Sequence, residues 1–596
     1  MLSFLVRTRP LDGPLATEKQ RRVSSSRERR LSPSSETIFL PSSLSVEIHH
    51  ESFLPYSRMR RAFRFFCALG PAAIPEIFLF RMQQDSHIWS PAGEVQSVRA
   101  PRIDPVLDDF TSGECIGFLR VYKELGFVSA TVGDFQREEY KIDSAVGKVL
   151  GNEPCIPDLE WVVVVAISHA FPGRWEENWF TDTGRLLLPL VQHAFRQCSD
   201  LPAKVLQQPQ HGYKVLLTLL LSTHLPGADW KLEALHKAED VLRCWPGFAD
   251  EDTAYLRGLA QMRKRELSRR LQGVQWSSAE PVLEPIDPRT YCLDVAWQRS
   301  EAQDRIMLDT PDLDGAERIL QGLSPTKLSS STMGRSESTH VDFLAAKVQR
   351  WQGKFEQSEE ILRRLIDNFG YQYNEMGCSV WSHYVAVLCE LHRFTKAEYW
   401  ARHALDGLLK LTEGGIHAER TRRHRMLRLL VAETLVCRCL SETHFDSREA
   451  ALRESDMTYA ALHEEYRNLA KRDWVSRFEE LRVYLGRALV ASLMNRLDDA
   501  NALWEATRSP ARYCEQHGKV TGFVEMLIEY SLSTIAAERG DMNEAHRHLR
   551  DAKALYRRIG REHWWTCLGT ALLDRYAQIL RQFDMLSGTE PFCPPT

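Results

Sequence analysis

The sequence predicts a mainly α-helical protein. A small mixed helix-and-strand unit is expected at residues 56–155, a helical segment at 156–323, a linker at 324–340 and an α-solenoid of helix pairs at 341–590. Three observations predict this. A turn residue, a large apolar residue two positions on and a small residue three further on recur as Gly353-Phe355-Ser358, His392-Phe394-Ala397, Asn495-Leu497-Ala500 and Gly540-Met542-Ala545. After each small residue, further core-facing positions follow at offsets of four and seven, which is one face of a helix. No phosphate-binding loop is present, and stacked helix pairs build binding surfaces more readily than reaction centres.

Composition narrows the class. Hydrophobic residues make up 43% of the 596 and charged residues 26%, as in folded domains. A net charge of -4 gives no bulk attraction to nucleic acid or membrane. The 13 cysteines are scattered, with Cys437-x-Cys439 the closest pair, so neither a disulfide framework nor a zinc site is expected. The apolar runs Trp161 to Phe171 and Val215 to Leu221 are too short to span a bilayer and read as buried helices. A cytoplasmic protein is the expectation, with a nuclear location as the alternative.

Residues 1–55 are rich in Ser, Arg and Pro and lack apolar periodicity, so a disordered tail is expected. Asp12, Glu18, Glu28 and Glu36 interrupt what would otherwise resemble a transit peptide. Lys19 to Arg30 holds six basic residues, and Ser24 and Ser32 each follow an Arg-Arg-x triplet, as candidate kinase sites.

From Arg58 to Met82 apolar residues fall at helical spacing, interrupted at Gly70-Pro71 and Pro75, and an irregular Pro- and Gly-containing stretch follows from Ser90 to Pro105. Cys115, Phe118, Leu119, Tyr122 and Leu125 mark a helix that Gly126 ends. Phe127 to Val132 and Glu139 to Ile142 read as strands around a turn at Gly133-Asp134, and Asp143 or Ser144 starts a helix to Leu150. Helix, strand, turn, strand and helix are the skeleton of a winged-helix domain. Beyond it, helix pairs are expected at 212–223 with 228–244 and at 250–271 with 312–323, separated by the Pro-rich segment Ser277 to Pro288.

In the array, Gly353 and Gly540 serve the turns, and Ser358, Ala397, Ala500 and Ala545 sit where the second helix crosses the first. Phe355, Phe394, Trp381 and Trp504 supply large packing groups. This pattern resembles the tetratricopeptide repeat (TPR) family, whose period is 34 residues. Here 39 residues separate Gly353 from His392, and 45 separate Asn495 from Gly540. The 103 residues between His392 and Asn495 are expected to hold two further pairs, with strong helices at Thr421 to Leu440 and Ser447 to Leu469.

A second resemblance rests on Ala73-Ile74-Pro75-Glu76, Phe171-Pro172, Trp175, Trp179 and Leu186 to His193. These are similar to the segments around the winged helix in fungal NLR-like proteins (STAND ATPases), which order a nucleotide-binding domain, a winged helix and TPR repeats. Over residues 58–585 the chain corresponds to the last two parts. The nucleotide-binding part is not matched: none of Gly147-Lys148, Gly353-Lys354 and Gly518-Lys519 has a glycine five positions earlier or a following Ser or Thr. ATP switching is therefore not carried over.

Other chemistry is sparse. His49-His50 and the His546, His548 pair lack further metal ligands, and Asp312-x-Asp314-Gly315 lacks the acid of a calcium loop, since Gln321 stands there; a helix cap is expected instead. Trp175 and Trp179 read as core, and Trp564-Trp565 as a candidate contact or the start of a capping helix to Leu580. No catalytic residue, metal or cofactor is expected. The expected function is a non-catalytic scaffold or adaptor that holds a protein or peptide on the solenoid, in NLR-like signalling or as an accessory factor of a fungal pathway such as secondary metabolism. The alternative is a nuclear regulator that binds DNA through the winged helix.

Overall fold

The structure is a computed structural model. It describes residues 53–101, 111–124, 126–132, 138–143, 158–173, 180–225, 227–245, 251–270, 293–306, 312–323, 331–369, 375–411, 422–441, 447–469, 474–516, 522–559, 568 and 571–572. The tail with Ser24 and Ser32, His49-His50, Gly133-Asp134, the helix to Leu150, Trp175, Trp179, Ser277 to Pro288 and Trp564-Trp565 lie outside them.

The first unit runs α1 (Phe53–Ala68), β1 (Ile74–Pro75), α2 (Glu76–Arg81), β2 (Ser86–Trp89), β3 (Val95–Val98), α3 (Ser112–Glu124), β4 (Val128–Val132) and β5 (Glu138–Ile142). An antiparallel sheet in the order β1-β5-β4 pairs Ile74 with Tyr140 and Val128 with Ile142. Gly126 ends α3 as expected: its φ is 79°, and Phe127 N donates to Tyr122 O at 2.9 Å.

The stretch expected to be irregular holds the β2–β3 hairpin. Ser90-Pro91-Ala92-Gly93 makes the turn: Gly93 N donates to Ser90 O at 2.8 Å, Ser90 N donates to Glu94 O at 2.9 Å, and Gly93 has φ 81°. Proline early in a turn and glycine at its left-handed position are the signature of a three-residue hairpin loop.

Among the described residues six helices follow: α4 (Leu159–Ala170), α5 (Phe180–Gln197), α6 (Leu201–Gln207), α7 (Pro209–Ser222), α8 (Ala228–Cys244) and α9 (Glu251–Arg270). The Val162 to Val165 run of α4 is helical despite its β-branched residues, because every residue from Trp161 to Ala170 is buried and tertiary packing overrides propensity. Arg263 of α9 closes the end of α7, with Nε donating to Thr223 Oγ1 at 2.8 Å and Nη2 to Thr223 O at 2.9 Å. The expected pairing of α7 with α8 is present. The expected pairing of 250–271 with 312–323 is not. α9 packs on α7 and α8, and the helix at 313–321 pairs with one at 294–306 that the sequence reading passed over.

The helix array starts there. Its pairs are α10 (Asp294–Ile306) with α11 (Leu313–Gln321), α12 (Thr332–Trp351) with α13 (Phe355–Phe369), α14 (Glu375–Glu390) with α15 (Phe394–Leu411), α16 (Arg422–Ser441) with α17 (Arg448–Arg467), α18 (Trp474–Leu493) with α19 (Leu497–Gln516), and α20 (Phe523–Glu538) with α21 (Met542–Ile559). Residues 332–340, expected as linker, are the opening turns of α12. The Ser/Thr richness read as linker composition includes its cap, Ser331, whose Oγ accepts from Gly334 N at 3.0 Å. Between His392 and Asn495 lie α15 to α18, so one new pair, α16 with α17, fills the gap instead of two.

Buried residues of α13 to α20, with Ala346 of α12 and Ala552 of α21, join in one continuous core, while Val341, Leu344 and Val348 of α12 pack in a separate cluster with α10 and α11. Met333, at the start of α12, belongs instead to the core of the preceding helices. There Met333 N donates to Gly93 O at 2.8 Å, and Thr332 Oγ1 donates to Glu94 Oε2 at 2.5 Å, so the hairpin tip sits on the amino end of α12.

Gly486, inside α18, marks a close crossing that the sequence did not reveal. A Cβ there would stand 2.1 Å from the ring of Tyr459, which is fully buried on α17. Gly486→Ala is expected to cost about 2–3 kcal/mol, read as a lower urea midpoint. Adding Tyr459→Val is expected to restore part of it; an unchanged midpoint in the single variant would show that the crossing yields freely.

Candidate functional site on the inner face of the array

The structure places the residues named for repeat packing as follows. Ser358, Ala397 and Ala500 are fully buried, and Ala545 is 2% exposed. Along the same faces Leu362, Ala401 and Trp504 are buried, then Leu365, Ala404, Thr507 and Ala552. Ser358 Oγ donates to Ala346 O at 2.7 Å on the preceding helix, and Trp504 Nε1 donates to Ser492 Oγ at 3.2 Å. Trp381 is buried and stacks on Trp400 with ring centroids 5.4 Å apart. Phe394 is buried and Phe355 half-buried, whereas Met542, at the same place in the last pair, is 43% exposed.

The four turn residues share one backbone conformation. Gly353, His392, Asn495 and Gly540 have φ of 77°, 55°, 57° and 81°. The next residue's N–H reaches back five positions each time: Lys354 to Gln349, Arg393 to Leu388, Arg496 to Ala491 and Asp541 to Ala536, all at 2.8–2.9 Å. This left-handed helix ending satisfies carbonyls that would otherwise be orphaned. Basic turn residues also clasp acids on an earlier second helix: Lys354 with Glu317 at 3.1 Å, Arg393 with Glu359 at 2.5 Å and Arg496 with Asp456 at 2.8 Å.

First helices contact first helices along much of the array, α10 to α12 to α14 to α16 to α18. Second helices pack on their own first helix and, from α11 onward, on the next one. The first helices therefore form the closer, inner layer. Each residue advances about 100° around a helix, so residues two apart face roughly opposite ways. On α12, Gln349 donates to Glu317 of α11 at 2.8 Å, which places Lys347 on the opposite, inner side. On α14, Trp381 stacks on Trp400 of α15, which places His383 on the inner side.

Paired charges stitch this inner layer. Arg299 of α10 meets Glu337 of α12 at 2.7 Å. Arg350 of α12 grips Glu390 of α14 through Nε at 2.8 Å and Nη2 at 2.5 Å, with both side chains essentially inaccessible. Arg482 of α18 grips Glu433 of α16 through Nη2 at 2.6 Å and Nε at 2.9 Å. Arg350 Nη1 also lies 3.2 Å from His383 Nδ1. A guanidinium has only donors, so this ring nitrogen accepts and the imidazole is neutral. Burial, followed by the charges of Lys347, Arg350 and Arg482, holds His383 well below its ordinary value, in agreement.

Lys347 differs from these paired cations. Its ammonium lies 5.4 Å from the Phe343 ring centroid and 5.7 Å from that of Trp351. Burial, with Arg350 beside it, pushes its amine down to about 8. The folded chain thus binds fewer protons than the unfolded one between about pH 8 and the ordinary lysine range. The cost of holding this charge is present below pH 8 and fades as pH rises above it. The sequence did not single out Lys347, Arg350, His383, Glu390, Glu433 or Arg482. The partners are 40 and 49 residues apart, which gives no fixed period to find them by.

Among the described residues no group of three or more His, Cys, Asp or Glu is placed to hold a metal. Asp312 caps α11, its Oδ1 accepting from Gly315 N at 2.8 Å, as the helix-cap reading expected. His548 Nδ1 lies 2.6 Å from Glu529 Oε2, in a packing contact with α20. Among the described residues no helix is long and apolar enough to cross a membrane.

No protein-family model matches the chain, and no curated protein matches it in sequence. Solved structures that resemble parts of it include two helical proteins. The Rap protein complexed with competence and sporulation factor matches at 13% identity over 61% of this chain and 93% of its own, with a TM-score of 0.36. BtubC (BKLC) from P. vanneervenii matches at 13% identity over 45% of this chain and 93% of its own, with a TM-score of 0.29. The assignment of an α-solenoid rests on the helix pairs themselves.

Proposed function

We propose that the chain is a non-catalytic scaffold or adaptor that holds a protein or an extended peptide against the inner face of its array. One observation carries this reading: first helices contact one another from α10 to α18, which makes a continuous surface with aromatic and charged side chains on it. Such surfaces bind through a few anchored groups. The order α1, β1, α2, α3, β4, β5 with sheet order β1-β5-β4 supports reading the first unit as winged-helix-like, interrupted by the β2–β3 hairpin. With the array behind it, this supports the NLR-like plan, and with it a cytoplasmic place in fungal signalling or as an accessory of secondary metabolism.

The reading is tested with the full chain as bait. Phe343→Ser, on the inner side of α12, is expected to remove partners that Tyr399→Ser leaves in place; Tyr399 is 60% exposed on α15, a second helix. Partners insensitive to both variants would sink the groove reading, and ATP turnover by the purified chain would sink the non-catalytic one.

DNA binding through the first unit is the second reading, and the topology is what favours it. The surface of α3 argues against it. Arg120 and Lys123 lie 3.5 Å and 3.7 Å from Glu138, and Val121 and Phe127 are exposed apolar groups. Salt-sensitive duplex binding lost on Arg120→Ala would restore it.

A further inference from the structure

Three arginines of the inner layer each grip a glutamate, whereas Lys347 of the same layer lies against rings. Glu337, Glu390 and Glu433 each have an arginine. Lys347 is bonded to no carboxylate among the described residues; the groups around it are two rings, the Arg350 guanidinium, already held by Glu390, and the His383 ring. A half-buried lysine with no carboxylate bonded to it among the described residues, beside a second cation, is an expensive arrangement for the chain alone. The cost falls when an anion arrives. The two rings lie one turn before and one turn after Lys347 on α12, 5.4 Å and 5.7 Å from the ammonium, and offer apolar surface to the stem of a side chain with a carboxylate tip.

We propose that Lys347 receives the side-chain carboxylate of an acidic residue in a peptide segment laid along the inner face, with Phe343 and Trp351 packing on its stem. This rests on the groove reading and names the chemistry of its ligand. The neutral state of His383 fits, since a second full charge there would compete with Arg350 for Glu390. The ammonium loses its charge as pH rises through about 8, so binding of the carboxylate weakens from pH 7 to pH 9.

The test uses the full chain and a fluorescein-labelled hexaglutamate peptide with both ends blocked, followed by anisotropy. The wild-type chain is expected to bind it at least tenfold more tightly than Lys347→Met does, and to prefer it to an end-blocked hexaglutamine peptide. Lys410→Met, on the exposed surface of α15, is expected to bind like wild type. Lys347→Arg keeps the charge and is expected to retain most of the affinity. Folding is checked by the urea midpoint, which Lys347→Met should leave unchanged or raise, because it removes an uncompensated charge. Equal binding by wild type and Lys347→Met overturns the proposal, as does equal binding of the Glu and Gln peptides or an equal loss in Lys410→Met. A chain that passes the Phe343 partner test but shows no such charge selectivity leaves the groove standing and this inference refuted.

Discussion

Replacing Glu390 with Leu is expected to destabilise α12 and α14 by about 3–5 kcal/mol, because it leaves a buried guanidinium without its counter-charge. The Arg350 and Glu390 side chains are 2% and 0% exposed, and three hydrogen bonds of 2.5–3.0 Å join them. In the variant, the guanidinium would keep its contact with His383 but lose the carboxylate. The double variant Arg350→Met with Glu390→Leu is expected to recover most of the loss, since two apolar groups of similar volume need no pairing. Hydrogen exchange of the α12 and α14 amides reads both results at the helices concerned. Equal loss in single and double variants would mean that packing, not charge, sets the cost.

Trp504→Ala is expected to cost about 3–5 kcal/mol through the cavity it leaves. The side chain is fully buried on α19, its indole N–H donates to Ser492 of α18, and Leu440, Leu489 and Ile535 line the same small cavity. Trp504 therefore joins α19 to α18 beside a cavity that α16 and α20 also line. Trp504→Phe, which keeps a ring but not the donor, is expected to lose less than half as much. A urea titration followed by far-ultraviolet circular dichroism ranks the three proteins, and an alanine variant equal to wild type would show that neighbouring pairs collapse into the space.

The array was legible because its signals are local. The left-handed turn residue and the small residue five positions later fall within one turn-and-helix unit, so Gly353 with Ser358 and Gly540 with Ala545 could be read directly. The start of α12 was not legible, because serine and threonine serve linkers and helix caps alike, and Ser331 is a cap. The β2–β3 hairpin was passed over because its proline and glycine read as irregular chain. The inner-face residues were hidden for a different reason. Arg350 and Glu390 meet because two helices stack, and their separation reflects the loop between pairs as much as the repeat itself. Lys347 is the extreme case, since what distinguishes it is that no carboxylate among the described residues is bonded to it.

The hairpin tip on α12 also bears on the order in which the chain assembles. Glu94 and Thr332 are 238 residues apart. Closing a flexible loop of that length costs about 5 kcal/mol in chain entropy beyond a fixed constant. A few hydrogen bonds do not offset this in an open chain. The contact becomes affordable once the intervening helices have folded and drawn its two sides together, so it belongs to the last stage of folding, after the elements it joins exist.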